Sequence, residues 1–342
     1  MTTIRPAVVL LGVLLVGCRS MPKPIFSAVD PPLLWPPPPD RPRISYVGAL
    51  YGQSSLGVQS GGWEALRALL VGSRPVVDFV RPVAVAVADQ CVFVADAGRG
   101  AVHRLDLSRR AYRHLSGAPA DPLQLPIDLA VVPAECLLVA DRARGTVEVF
   151  DLAGDWQLTL RWPEITAPVS LAWAGAEQFW IADVAAHACF AVDLKSGQIR
   201  RRLGSRGQRP GQFNYPSALA YAAGVGLVVA DAMNFRIQVF DQSDEPVQVF
   251  GRKGDAAGDF ARPRDVAVDS DGNIYVLDNQ FENVQVFGAD GQLLLAFGQG
   301  GTGPGEFALP SGLTIDQHGR IWIADSFNRR VQVFQYLSEG TP

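Results

Sequence analysis

The sequence predicts an all-β fold, namely a six-bladed β-propeller with four-stranded blades whose ring is closed by an N-terminal strand in the last blade. Its 342 residues include 34 glycines and 25 prolines, which favours turns over long helices. An apolar strand that ends in aspartate recurs six times, at intervals of 45, 42, 48, 47 and 47 residues. The aspartates are Asp96, Asp141, Asp183, Asp231, Asp278 and Asp325. A repeat of this length with four short strands is typical of propeller blades.

The first 17 residues are predicted to be a secretory signal peptide. Arg5 precedes the apolar run from Ala7 to Val16, which is too short to cross a bilayer as a permanent helix. The ending Leu15-Val16-Gly17-Cys18 resembles the lipobox of bacterial lipoproteins. This resemblance implies cleavage before Cys18 and acylation of that residue, which would anchor the chain in a membrane. Because Arg19 follows in place of an aspartate, it also implies the outer membrane, with the protein facing the periplasm. The alternative is an ordinary signal peptide with an incidental cysteine.

Residues 18–42 are predicted to form a tether behind the acylated cysteine. Nine prolines lie between Arg19 and Pro42, and such a segment favours the extended polyproline II conformation. At roughly 3.1 Å per residue it could hold a folded domain up to about 70 Å from the anchor. The alternative is a docking ligand for another protein. At the other end of the chain, residues 338–342 are predicted to be a tail.

The residues after the tether are predicted to close the ring. Residues 43–52 alternate between apolar and polar side chains and end in glycine, as an outer blade strand does, while too few residues follow Phe334 to supply that strand. Residues 62–72 do not fit the repeat, and their apolar side chains have the spacing of a short amphipathic helix. This helix either partly caps the mouth of the channel or packs against the edge of blade one.

The blades, over residues 81–337, resemble NHL repeats. The segment from Asp325 to Phe334 fits the family pattern Asp-Ser-x-Asn-x-Arg-Val-Gln-Val-Phe, and the segment from Asp231 to Phe240 fits nearly as well. Blades one to three keep the aspartate but lack the Asn and Arg. A buried aspartate needs hydrogen bonds, which hairpin amides and the arginine can supply, so we predict a structural role for it. The resemblance implies a propeller that binds protein, peptide or RNA through one face.

Cysteines and histidines give little support for catalysis. Besides Cys18 the chain has Cys91, Cys136 and Cys189, and since Cys91 and Cys136 hold equivalent positions on neighbouring blades, too far apart for a disulfide, we expect free, buried thiols. No Cys-x-x-Cys pair is present, so we expect no cysteine-ligated zinc. The four histidines fall at different places in their repeats, which disfavours the histidine-lined channel of the related amidating lyase.

Two aspartates are the candidate metal ligands. Gluconolactonase-type propellers hold calcium at the channel, and here Asp128 and Asp265 each lie two residues after the proline that opens blades two and five. These blades face each other in a ring of six, so both carboxylates could ligate Ca²⁺. They are the support for an alternative function, a channel-centred, calcium-dependent hydrolase or lyase. The competing interpretation is that Asp265 pairs with Arg262 or Arg264.

One face of the ring is the main candidate site. The hairpins after the six aspartates and the connections before the six prolines lie on the same face, which we name the loop face. Aromatic side chains mixed with arginine are typical of a contact with protein or glycan, the alternative being a solvated rim. The candidate binding residues are Arg81, Arg144, Tyr215, Phe235, Arg264, Phe281, Phe327 and Arg329. The net charge of −4 argues against a nucleic-acid partner.

Together these observations predict a lipoprotein of the cell envelope, anchored through Cys18. Its propeller is expected to be monomeric and to act as a non-catalytic scaffold. The expected partner is an envelope protein or peptide bound on the loop face, and no cofactor is required.

Overall fold

A computed structural model describes residues 24–27, 29–57 and 75–337. Within these ranges the chain is all β, with two short 3-10 helices, Gln53–Leu56 and Ala232–Asn234, and no α-helix. The predicted signal peptide, Cys18, the predicted helix over residues 62–72 and the predicted tail of 338–342 lie outside the described residues.

Six antiparallel sheets form the ring, and in each the first strand lines the channel. Blade one contains Pro82–Ala88, Cys91–Asp96, Ala101–Asp106 and Ala111–Leu115. Blade two contains Pro126–Val132, Cys136–Asp141, Thr146–Asp151 and Trp156–Arg161. Blade three contains Pro168–Gly175, Gln178–Asp183, Ala188–Asp193 and Ile199–Leu203. Blade four contains Pro216–Ala222, Gly226–Asp231, Arg236–Phe240 and Pro246–Phe250. Blade five contains Pro263–Val268, Ile274–Asp278, Asn283–Phe287 and Leu293–Phe297. Blade six contains Gly312–Ile315, Arg320–Asp325, Arg330–Tyr336 and Ile44–Leu50. The predicted propeller with four-stranded blades is confirmed.

The ring closes through the strand Ile44–Leu50. It pairs antiparallel with Arg330–Tyr336, from Ile44 opposite Tyr336 to Leu50 opposite Val331. The predicted closing strand is therefore confirmed, and blade six contains strands from both ends of the described chain. Closure also removes the unpaired sheet edge that an open array of blades would expose.

Part of the proline-rich segment before the closing strand packs against blade six instead of extending away from the propeller. Leu34–Trp35 adds a fifth strand to blade six by pairing with Ile44 and Ser45. The ring of Trp35 lies 5.7 Å from that of Phe334 between centroids. Further back, Phe26 packs edge-on against Trp322 at 6.1 Å. Apolar and aromatic burial thus holds this part of the proline-rich segment against the propeller.

Glycine and phenylalanine shape the connections between the later blades. Gly298 has a φ of +82°, and a Cβ atom on it would lie 2.2 Å from the ring of Phe307. Two further pairs, Gly204 with Phe213 and Gly251 with Phe260, repeat this geometry. Only glycine can adopt a left-handed backbone conformation and also leave room for an aromatic ring this close to its Cα. Each of these phenylalanines is fully buried and fills the space between two blades.

Among the described residues, the buried apolar side chains form six clusters, one in each seam between neighbouring blades. The seam between blades six and one, for example, contains Leu50, Val92 and Trp322. Close packing in these seams fixes the blades around the channel and leaves the loops at either end to carry the sites.

Two minor sheets complete the fold. They are Gly117–Ala118 with Asp121–Pro122, and Gln299–Gly300 with Glu306–Phe307, the second of which is parallel. Both lie in connections between blades. No helix of the described chain is long and apolar enough to cross a membrane.

Candidate functional site

The six repeated aspartates are fully buried, and their carboxylates hold the loop face together. Asp278 is representative, because its oxygens accept N–H groups from Ala261 and Arg262 before the blade and from Gln280 and Phe281 in the hairpin. Each aspartate thereby joins a hairpin to the preceding connection. These contacts agree with the structural role that the sequence predicted.

Arginine completes this arrangement in blades four and six. Arg330 donates from Nε to Asp325 at 2.8 Å and from Nη2 to the carbonyl oxygens of Gly303 and Glu306. Arg236 makes the equivalent 2.8 Å bond to Asp231. Buried charge pairs of this kind are costly to break, since either partner alone would be left unpaired.

Blade one has histidine where blades four to six have glutamine, seven residues after the repeated aspartate. The Nε2 of His103 lies 3.2 Å from Asp96 and its Nδ1 lies 2.9 Å from the hydroxyl of Tyr112. Burial opposes the ionisation of Asp96, but hydrogen bonds from His103 and from the N–H groups of Val80 and Arg81 outweigh it and lower the pKa of Asp96. His103 is therefore part of the interior of blade one and is not near the channel.

Blade two places Arg144 in the interior, which differs from the expected exposed position. Its side chain is only 4% exposed and pairs at 2.7 Å with the buried carboxylate of Glu148. Glu148 accepts further hydrogen bonds from two threonines and from the indole of Trp156. A second carboxylate, Asp121, engages the other end of the guanidinium. Arg144 is thus held by two carboxylates within the protein and offers little to a partner, although its buried Nε has no hydrogen-bond acceptor among the described residues.

The other cysteines and histidines do not converge. Cys91, Cys136 and Cys189 are free, and burial raises the pKa of each thiol, that of Cys136 to about 11. His187 lies beneath Tyr215 on the loop face, whereas His318 is exposed in a turn between the first two strands of blade six. Within the described residues, no three His, Cys, Asp or Glu side chains are grouped so as to hold a metal ion.

The channel widens away from the loop face. Its wide part is a cavity of about 260 Å³ lined by the first strands of the six blades. Toward the loop face it narrows to about 10 Å³ among Asp128, Arg264, Asp265 and their neighbours. That is about the space of a single water molecule. The throat therefore separates the channel from the loop face.

Asp128 and Asp265 both lie at this throat, as the sequence predicted, but each already braces a neighbouring blade. Oδ2 of Asp128 accepts the N–H of Leu171 at 2.7 Å, and Oδ2 of Asp265 accepts that of Leu313 at 2.6 Å. Burial raises the pKa of Asp128 to about 6. Burial and the negative charge of Asp128 raise the pKa of Asp265 well above its ordinary value.

The guanidinium of Arg264 acts on both throat carboxylates and lowers their pKa values, in opposition to burial. Calcium takes six to eight oxygen ligands. Two carboxylates that already accept backbone N–H groups, beside an arginine, match that requirement poorly. As a set, Asp128, Arg264 and Asp265 resemble an internal charge cluster more than a calcium cage.

The other predicted binding residues separate into exposed and half-buried groups. Phe327 is 70% exposed, and Arg81 and Arg329 are also exposed. Phe235 and Phe281 are half-buried, and the ring of Phe235 lies 5.4 Å from Nζ of Lys253. The loop face therefore presents aromatic and cationic side chains, though fewer of them than the sequence suggested.

A pocket on the loop face brings together residues that the sequence analysis did not combine. It has a volume of about 330 Å³ and spans blades two to five. Tyr215 and Arg264, both predicted, line it together with Arg142, Arg262 and Met233. Only the loop-face position of these residues was visible in the sequence, because their convergence depends on ring closure.

Comparisons with known proteins support the fold. A family model, DUF5128, described as a 6-bladed beta-propeller, matches residues 269–340. A search of curated proteins found no match to this chain.

Solved structures show the same architecture at low sequence identity. One is a structural genomics protein of unknown function from Bacteroides thetaiotaomicron VPI-5482, with 18% identity, a TM-score of 0.59, and coverage of 75% of this chain and 70% of that one. Another is a catalytically inactive variant of virginiamycin B lyase from Staphylococcus aureus with quinupristin, with 12% identity, a TM-score of 0.57, and coverage of 75% and 81%. A streptogramin B lyase structure has 12% identity, a TM-score of 0.55, and coverage of 76% and 95%. At these identities the similarity establishes the six-bladed fold alone.

Proposed function

We propose that this protein is an exported lipoprotein whose propeller binds an envelope protein or peptide through the loop face, without catalysing a reaction. The observation that carries the proposal is the exposure of large apolar side chains at loop-face positions. These side chains are Val80, Tyr215, Met233, Leu309 and Phe327. Apolar and aromatic groups with nearby arginines are the usual anchors of a protein interface.

The proposed location rests on the sequence that precedes the described residues. An apolar run followed by Leu15-Val16-Gly17-Cys18 supports export and acylation of Cys18, and Arg19 supports the outer membrane. The acidic balance of charges supports a partner other than nucleic acid. We propose a monomeric propeller, since both ends of its described chain are engaged in one blade.

Crosslinking in cells tests the binding proposal. The tagged full chain is crosslinked in the producing bacterium, purified in detergent, and its bound proteins are quantified by mass spectrometry. Replacing Phe327 and Arg329 together by alanine should reduce the captured partner by roughly tenfold, because truncation of interface anchors costs more than about 1.4 kcal/mol. Leu294→Ala is the matched control, since Leu294 is exposed on the outer strand of blade five. Equal capture by all variants would contradict the proposal.

Labelling tests the anchor. Cells fed an alkyne-tagged fatty acid should incorporate the label into the wild-type protein and not into a Cys18→Ser variant. The variant should also move from the membrane fraction to the soluble fraction. Labelling of the variant to the wild-type level would refute acylation at this residue.

A further inference from the structure

The lining of the pocket on the loop face is both apolar and cationic. Met233 and Tyr215, which are 53% and 48% exposed, are its apolar part together with Val169, Val184 and Ala232. Its cationic part is Arg142 from blade two with Arg262 and Arg264 from blade five. The volume of about 330 Å³ lies near the lower end of the range for small-ligand pockets. A ligand the size of one large amino-acid residue would fill it.

The backbone holds the three arginines in place. Arg142 N–H donates to the carbonyl oxygen of Leu125 at 3.1 Å. Arg262 N–H donates to the buried carboxylate of Asp278 at 2.9 Å, and Arg262 also accepts an N–H from Asn279. Arg264 lies within the first strand of blade five. The backbone that carries the three arginines is therefore ordered.

The positive charge at the pocket is balanced only in part, by Asp128 and Asp265 in the throat beside Arg264. Among the residues that the structure describes, no carboxylate lines the pocket, and none of the three guanidiniums makes a hydrogen bond or a close ion pair. Burial lowers the pKa of Arg264, and the charges of Arg262 and Arg142 lower it further, while Asp265 and Asp128 in the throat below oppose this. An anion among the three arginines would relieve their mutual repulsion.

Other arginines of the described chain show the contrast. Arg330 and Arg236 each bind a buried aspartate at 2.8 Å. Arg144 binds two carboxylates. These arginines have carboxylate partners at hydrogen-bonding distance, and among the described residues the three at the pocket have none. Arginine side chains in this arrangement are suited to binding a carboxylate through two parallel hydrogen bonds.

We propose that this pocket binds a carboxylate that carries an apolar group, with the carboxylate among Arg142, Arg262 and Arg264 and the apolar group against Met233 and Tyr215. The inference rests on the proposed binding role of the loop face and names the chemistry recognised there. A free aromatic acid and the C-terminal residue of a peptide share this chemistry.

Calorimetric titration of the full chain in detergent tests the pocket. The probes are N-acetyl-phenylalanine and a pentapeptide that ends in phenylalanine, each as the free carboxylate and as the neutral amide. The carboxylates should bind with a Kd of about 1 mM or tighter, and the amides at least about tenfold more weakly. If the pentapeptide binds more tightly than the amino acid, the ligand is a peptide terminus, and equal affinities indicate a small acid. Equal binding of carboxylate and amide, or no binding of either, would overturn the proposal.

Variants locate the site. Replacing Arg142 and Arg262 together by glutamine should weaken carboxylate binding by about tenfold or more, because hydrogen bonds from a charged donor are stronger than those from the neutral amide that replaces it. Arg161→Gln and Arg209→Gln are matched controls, since these exposed arginines lie outside the pocket. Unchanged affinity in the double variant places the bound carboxylate elsewhere and refutes the site.

The two proposals fail separately. If carboxylates do not bind while the Phe327 and Arg329 variant still loses its crosslinked partner, only the pocket inference is wrong. If carboxylates bind at the pocket while crosslinking is unaffected by that variant, the pocket inference stands and the wider interface is wrong.

Discussion

Replacement of Trp35 by alanine should destabilise the propeller, although the residue lies in a proline-rich segment outside the repeats. Its ring packs at 5.7 Å and 6.1 Å from the rings of Phe334 and Phe297. The indole also covers Gly305, where an added Cβ would lie 2.7 Å from it. Truncation of a fully buried tryptophan costs about 3–5 kcal/mol, and aromatic pairs contribute about 0.5–1.5 kcal/mol each. Since Trp35 is half-buried, we expect a loss of about 2 kcal/mol.

Thermal unfolding of the full chain, followed by circular dichroism, measures this effect. For a domain of this size the expected fall in Tm is about 3 °C. Trp35→Phe should recover roughly half of it. Leu158→Ala is the control, because Leu158 is exposed on the outer strand of blade two and its truncation should cost little. A Trp35→Ala protein with the Tm of the wild type would refute the docking of this segment on blade six.

Two further predictions concern the channel. In an Asp128→Asn variant the amide oxygen can still accept the N–H of Leu171. The raised pKa of Asp128 means that the ionised carboxylate lowers the stability of the folded state, so the variant should have a higher Tm than the wild type near pH 8. That gain should shrink toward pH 5, as the wild-type carboxyl takes up a proton, and an equal gain at both pH values would contradict the raised pKa. Gly312→Ala should cost about 1–3 kcal/mol in denaturant unfolding, because a Cβ there would lie 2.5 Å from the carbonyl oxygen of Val83 across the closing seam. Gly224→Ala, with open space around it, should be nearly neutral.

The fold could be predicted from the sequence because its signals are local and repeated. Each blade has a strand that ends in aspartate, and the closing strand has its own alternation over residues 43–52. Even blade three, which lacks the family's Asn and Arg, keeps Asp183 buried with the same backbone hydrogen bonds. The period alone was therefore sufficient where the residue pattern had diverged.

The candidate site was less predictable because its determinants lie far apart in the chain. Arg144 was expected on the surface, but Glu148, four residues later, draws it inside blade two. In blades four to six a glutamine stands at the position equivalent to Glu148. The carboxylate at this position in blade two could therefore have predicted a buried partner for Arg144. No comparable signal joins Arg142 to Arg262, since 120 residues separate them and only the closed ring brings them to one pocket.

The docked segment and the pocket together suggest how the protein is oriented if Cys18 is acylated. About eight residues separate Cys18 from Phe26, and at roughly 3.1 Å per residue a chain of that length spans at most about 25 Å. Blade six would then face the membrane. The pocket is bounded by blades two to five, and blade three lies across the ring from blade six. A ligand at Arg142 and Arg262 would accordingly be approached from the side of the ring away from the bilayer.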